Sequence, residues 1–220
     1  LLFAEDTARG FAFIELCRKR YDVIVMNPPF GSPSLNSKNY INKTYKNSKS
    51  DLAASFIDRM LDLHNISGTM GVLSTRTIYF INTFELWRNE IIAKYNFKFA
   101  DFGLGVLDAQ VEACAVLYHK YLFDQNSVFY RIYGDNKERK LHSEIQKSNN
   151  HTYHFNLIGA SNIPNTPFCY WLDNNTLELF KSEKKFESPI RGAKSGLSSS
   201  DNFRFVRNWY ETNNPEFELH

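Results

Sequence analysis

The sequence holds no pair of cysteines at CxxC spacing. Its three cysteines, Cys17, Cys114 and Cys169, lie far apart. That argues against a zinc ribbon and a disulfide framework, and it fits reduced thiols in a cytoplasmic protein. No apolar run approaches the roughly 20 residues of a membrane span, so no membrane partner is expected. The opening LLFAED lacks the charged start and apolar centre of a signal peptide. Neither charge is in excess: 26 Lys and Arg stand against 24 Asp and Glu. The chain as a whole is therefore no polycation, and any nucleic-acid contact must come from a local patch. No internal repeat or long low-complexity tract is present. The chain also lacks an initiator Met and ends in NNPEFELH without a shift in composition, so it reads as a piece of a longer protein.

What is present is a globular balance of hydrophobic and charged residues. With 15% aromatic residues, there are enough to build a core and still line a binding site. Residues 1–20, with Phe11, Phe13, Ile14 and Cys17 between polar residues, read as a helix ending in Arg18-Lys19-Arg20. Tyr21 to Met26 is a continuous apolar run rich in β-branched residues, the pattern of a buried strand of a parallel sheet. Residues 31–50 are polar, with Gly, Pro and many Ser and Asn, and read as a long loop. A helix then starts at Asp51, with Leu52, Ser55, Phe56, Arg59, Met60 and Leu63 at helical spacing, and stops at Gly68. Residues 70–74, 97–102 and 113–119 read as strands, and 84–95 as a helix.

This order of helices and apolar strands predicts an α/β sheet. The closing pair of strands, with no helix between them, predicts an antiparallel hairpin at one edge. Further on, 128–133 is a candidate strand, 136–148 is compatible with a helix, 161–172 is irregular and 176–185 reads as an amphipathic helix. Residues 188–202 are rich in Gly and Ser and form the best boundary. The expected division is a catalytic part at 1–134, a helical and irregular connection at 135–190, and a further region from 191 to 220.

One tetrapeptide carries chemistry. Asn27-Pro28-Pro29-Phe30 follows directly on a strand, and ligands in open α/β sheets bind outside the carboxyl ends of strands. An exocyclic amine on adenine has its lone pair delocalised into the ring and is a poor nucleophile. The Asn27 side-chain oxygen and the Pro28 carbonyl can each accept one N–H of that amine, which localises the lone pair and aims it. The prolines stiffen the turn, so the acceptors are oriented in advance. Phe30 offers a flat face on which an extruded base can stack.

YDVIVMNPPF resembles the catalytic motif of amino-group methyltransferases that use S-adenosylmethionine, above all the N6-adenine DNA class. DLAASFIDRMLDL, GTMGVLSTRTIYF, ELWRNEII and FKFADFGLGVLDAQVEACAVLYHK follow the order of later segments in such enzymes. GVLDAQVEACAVL, the helix entry Lys49-Ser50-Asp51-Leu52 and the stretch from Phe80 to Trp87 are similar to BREX-type adenine methyltransferases, the PglX family. AKSGLSSSDNFRFVRNWYE resembles the segment that leads into that family's target-recognition region. Type IIG restriction–methylation enzymes share much of this order.

The resemblance implies the C-terminal half of a Rossmann-like class I methyltransferase sheet, running into the start of a target-recognition region. It implies methyl transfer from S-adenosylmethionine to the N6 amine of a flipped adenine, with double-stranded DNA and other defence-system proteins as partners. The Gly-rich loop and acidic residue that hold the donor lie upstream of the motif in this family, and neither has a counterpart here. Gly103 and Gly105 form only a turn-like GxG. Leu107 stands where many relatives place an aromatic residue against the base, and Ser198-Ser199-Ser200 replaces the usual Thr-Gly.

Two basic clusters are candidate DNA contacts. Lys38, Lys43, Lys46 and Lys49 alternate with Tyr40 and Tyr45, as in a loop closing over phosphates and bases. Arg191, Lys194, Arg204 and Arg207 form the second, of which Arg204 and Arg207 lie in the recognition-like segment. Their alternative is ordinary solvated surface. His151 and His154 have HxxH spacing without a third ligand and read as surface histidines. Ser74-Thr75-Arg76 ends a strand and either shapes the pocket or packs. Asp22 reads as a strand-entry residue. Two other functions remain open: an NPPF-type methyltransferase acting on RNA or protein glutamine, and a DNA-binding or assembly module with no activity of its own.

Overall fold

A computed structural model describes residues 2–107, 110–120, 127–147, 150–158 and 162–181. Residues up to Lys181 form one compact unit. Within it run helix α1 (Leu2–Arg18), strand β1 (Tyr21–Met26), helices α2 (Leu35–Thr44) and α3 (Leu52–Asp62), and strand β2 (His64–Thr75). Two short 3-10 turns, Arg76–Tyr79 and Asn82–Phe84, lead into α4 (Glu85–Ile92). Then come β3 (Tyr95–Gly103), β4 (Ala113–Lys120), β5 (Ser127–Arg131), α5 (Lys137–Lys147), β6 (Thr152–Phe155) and α6 (Asn174–Lys181).

The six strands make one sheet in the order β1-β2-β4-β3-β5-β6. β1 is parallel to β2, and β3 to β5, while β4 is antiparallel to both of its neighbours. The carboxyl ends of β1, β2, β3 and β5 therefore share one rim. The expected hairpin of β3 and β4 forms, but not at an edge. β4 inserts between β2 and β3, since both flanks of this apolar strand find ladder partners there. The expected connection at 135–190 also supplies a strand, β6, which extends the sheet beyond β5.

One face of the sheet is densely covered. Ile24, Met70, Val72, Phe97, Phe99, Val116, Tyr118 and Phe129 point towards α3, α4 and the irregular segment around Phe168 and Tyr170, and all are buried. α3 is amphipathic, with Ala53, Ala54, Ile57 and Leu61 buried against this layer. Small Ala53 and Ala54 let its backbone come close to the sheet. Trp87 on α4 is wholly buried, and its indole N–H donates to Asp58 Oδ1 at 2.8 Å. Truncating a ring buried so fully costs about 3–5 kcal/mol.

The other face is thinly covered. Ala100, Phe102 and Ile132 form a small cluster with Leu141 of α5. Towards β1 nothing described overlies the strands. Val23 and Val25 are 71% and 82% exposed, while Ile24 between them is 9% exposed. The apolar run in β1 thus differs from the expected strand buried on both faces; within the described residues it alternates between a packed and an open side.

The polar stretch 31–50 also departs from expectation, because residues 35–44 are helical rather than loop. The breakers Gly31 and Pro33 precede the helix, and no Gly or Pro follows until Gly68. The turns of α2 can therefore form from polar residues, with Ile41 buried as the anchor.

Candidate active site

β1 ends at Met26, which pairs with Val72 of β2, so Asn27 emerges at the carboxyl rim where sequence reasoning expected it. Asn27 is exposed, Pro28 is buried, Pro29 is exposed and Phe30 keeps 37% of its surface open. Asn27 also borders a trough of about 700 Å³ on the thinly covered face. Its walls are Val25, Leu73, Ala115, Leu117 and Tyr130, with Leu141 and Ile145 of α5 at the far side. The trough is mostly apolar, and among the described residues no carboxylate lines it.

The turn after Phe30 is tied down. Gly31 has φ of +98°, a backbone region that side chains disfavour. Its N–H donates to Asp51 Oδ2 at 3.0 Å, and its carbonyl accepts from Leu52 N–H at 2.8 Å. Asp51 is also the N-cap of α3, accepting from Ala53 N–H through Oδ1 at 2.8 Å. Burial raises the Asp51 carboxyl above its usual range, and the two N–H donors pull it part of the way back.

A second polar knot lies on the same rim. Asp101, near the end of β3, is fully buried. It accepts from the hydroxyls of Tyr133 at 3.0 Å and Tyr170 at 2.9 Å. Arg76, the first residue after β2, approaches it at 3.4 Å and Glu112 at 3.6 Å, and donates to the Tyr133 hydroxyl at 2.9 Å. Its backbone N–H donates to the Glu112 carbonyl, and its guanidinium stacks over Phe80. Burial, and then the Asp101 charge, push the Tyr133 and Tyr170 hydroxyls upward, so both stay protonated donors. Arg76 and Asp101 thereby grip both ends of the β3–β4 loop that carries Leu107. A signal for this knot was present: an aspartate inside the apolar run from Phe97 to Phe102.

The other predicted residues are placed as follows. Leu107 is half-buried on the β3–β4 loop, on the same rim as Asn27 but two strands away from β1. Lys38 and Lys43 are exposed on α2, and Lys46 and Lys49 are exposed just after it. Tyr40 and Tyr45 meet edge to face, with centroids 6.2 Å apart. Arg204 and Arg207, like Arg191 and Lys194, lie outside the described residues. Ser74 and Thr75 are buried at the end of β2. His151 and His154 belong to no cluster of three metal-ligating residues among the described ones.

Residues 3–105 match the Eco57I restriction-modification methylase family. The adenine-specific methyltransferase PglX of Lacticaseibacillus casei (strain Zhang) is 24% identical over 87% of this chain. The adenine-specific methyltransferase BrxX of Escherichia coli O9:H4 (strain HS) is 26% identical over 91%. The chain spans 17% of the length of each of these relatives.

Among solved structures, a modification subunit ascribed to a type I restriction enzyme of Vibrio vulnificus YJ016 superposes with a TM-score of 0.53 at 14% identity. That match covers 64% of this chain and 35% of the subunit. The type ISP restriction-modification enzyme LlaBIII, solved bound to DNA, also gives 0.53, at 11% identity, over 64% of this chain and 12% of that one. At such identities these two show the fold alone, a mixed α/β sheet. The turn at Asn27 thus stands within a stretch matching the Eco57I restriction-modification methylase family, in a chain similar over most of its length to the adenine-specific methyltransferases PglX and BrxX.

Proposed function

We propose that this chain is part of a site-specific DNA methyltransferase that methylates the N6 amine of a flipped adenine, within a restriction–modification or phage-defence system of the cytoplasm. The observation that carries the proposal is the exposed Asn27, held at the carboxyl end of β1 by a proline-stiffened turn. The Asn27 side-chain oxygen and the Pro28 carbonyl accept the two N–H groups of the amine. That draws the nitrogen towards a tetrahedral shape and localises its lone pair. Phe30, with an open face, stacks on the base. After transfer the amine is cationic and sheds a proton without a strong base.

S-adenosylmethionine, when bound, supplies an electrophilic methyl group. The fit of the described residues to it is partial. The trough beside Asn27 suits an apolar or planar group, but its described residues offer no carboxylate for ribose hydroxyls. In the family this chain resembles, the donor loop precedes the catalytic motif. The proposed division keeps residues 1–134 as the catalytic part, 135–190 as the connection and 191–220 as the start of target recognition. Lys38, Lys43, Lys46 and Lys49, with Arg204 and Arg207, are assigned to DNA phosphates, and Leu107 to the base.

The test is Asn27→Ala in the full-length protein. Removing one oriented acceptor of this kind costs on the order of 3–4 kcal/mol in the transition state. Methylation of plasmid DNA, read by mass spectrometry of the nucleosides, is expected to fall by about two orders of magnitude or more while the fold persists. Near-normal N6-methyladenine in that variant would refute the assignment. Methylated RNA or glutamine in place of DNA would move the activity to another substrate, and DNA binding without any methylation would favour an assembly role.

A further inference from the structure

We propose that Asp51 is a positioning residue for the methyl-accepting turn, and that it acts by holding Gly31 rather than by touching the base. This rests on the proposed role of Asn27 and Pro28. The basis is the division of labour between the two carboxylate oxygens. Oδ1 accepts Ala53 N–H, which is the ordinary duty of an N-cap. Oδ2 accepts Gly31 N–H from 20 residues upstream, and the Gly31 carbonyl returns the connection by accepting Leu52 N–H. Both peptide groups of Gly31 are therefore fixed to the start of α3.

The constraint reaches back to the acceptors because the intervening chain is stiff. Pro28 and Pro29 have locked φ angles, and each restricts the residue before it to extended conformations. Between Asn27 and Gly31 only Phe30 is free of a proline's restraint on both sides. Fixing Gly31 thus fixes the direction of the Pro28 carbonyl.

The post to which the turn is tied is itself rooted in the core. The Asp51 carbonyl accepts from Ser55 N–H at 3.2 Å, and the Ser55 hydroxyl donates to the Ser48 carbonyl at 3.1 Å. Buried Ser48 donates to Asp58 at 2.5 Å, the same carboxylate that takes the Trp87 indole N–H.

The two duties of Asp51 are separable by substitution. Asn at this position keeps one oxygen, enough to cap α3, but presents an NH2 group where Gly31 N–H needs an acceptor. Ser keeps a single acceptor in the same way. A residue that served only as a cap would tolerate both changes. In the full-length protein, Asp51→Asn and Asp51→Ser are expected to keep the thermal midpoint of the wild type. The single-turnover methylation rate is expected to fall roughly 10- to 100-fold, as for other small misplacements of reacting groups. KM for DNA should stay within about twofold, because the loss belongs to the chemical step.

Hydrogen exchange gives a readout independent of turnover: the Gly31 amide should exchange faster in both variants, while the first turn of α3 keeps its protection. Unchanged single-turnover rates in variants whose Gly31 amide is unprotected would overturn the proposal, as would an unchanged Gly31 amide. Failure of the underlying reading looks different, since Asn27→Ala would then methylate normally beside an active wild type.

Discussion

His64 opens β2 at the end of the sheet opposite Asn27 and is fully buried. Its ring lies so close over Gly68 that a Cβ there would come within 2.8 Å of Nε2. Desolvation holds the imidazole below its usual range, and nearby Lys120 and His119 act in the same direction. A folded-state pKa below the unfolded one means that the unfolded chain takes up the proton first as pH falls. The stability that neutral His64 contributes is therefore complete above about pH 6.5 and is lost as pH falls through the folded value. His64→Leu is expected to reduce the loss of stability between about pH 7.5 and pH 5.5, measured by chemical denaturation at the two values. An equal loss in both proteins would show that His64 titrates normally.

Arg88 is buried just as fully but stays charged. It donates to the carbonyls of Ile78, Ile81, Asn165 and Thr166, and burial brings its pKa only down to about 10. A guanidinium whose donors reach four carbonyls satisfies the left-handed turn at Asn165 and Thr166, which no helix or strand could.

At the scale of elements, the β3–β4 loop depends on Arg76. That side chain is 15% exposed and meets Asp101, Glu112 and Tyr133 at once. Arg76→Met keeps much of the bulk over Phe80 but removes every donor. The expected result is a local loss on the order of 2 kcal/mol, seen as faster amide exchange at Gly103 and Ala113. β1 should keep its protection. Asp101 retains its two tyrosine donors and the Gly103 N–H, so the sheet itself should survive.

Much at this scale was legible in the sequence. β1, β3, β4, α4 and the position of Asn27 follow from apolar runs, helical spacing and breakers, whereas the helix expected to run from Asp51 to Gly68 ends at Asp62 and β2 already starts at His64. α2 was hidden because its Asn, Ser and Lys residues carry no apolar stripe; only Ile41 marks its inner side. β6 was hidden because four residues give little periodicity, and its pairing with β5 is a tertiary choice. The central place of β4 was illegible because strand order is settled by packing rather than by local pattern. In the site, the turn could be read from its residue types. The double use of Asp51 could not, since its second partner lies 20 residues away.

For the molecule as a whole, the open side of β1 has the largest effect on behaviour. Val23 and Val25 on that face, and Phe11, Phe13, Ile14 and Leu16 on α1, are all exposed. Among the described residues, β1 is also an edge strand with one unpaired side. Exposed apolar edges seek partners. The 220-residue chain studied alone is expected to self-associate, and Val25→Lys should lower its mean size in light scattering at equal concentration. If that substitution left the size distribution unchanged, association would have to run through another surface.

The place of β4 also bears on synthesis. A ribosome makes β2 and β3 first, yet the strand that joins them comes only after both. While residues 113–120 are still in the exit tunnel, the nascent chain holds two strands whose facing edges have no partner. Its aromatic layer has no continuous floor at that stage. With the chain emerging in that order, β4 fills a strand-wide gap and completes two ladders together. Until then the emerging segment is the kind of open-edged, apolar intermediate that chaperones shield. Translation that slows once Lys120 has left the exit tunnel would give this closure time, and pausing before then would prolong the exposed state.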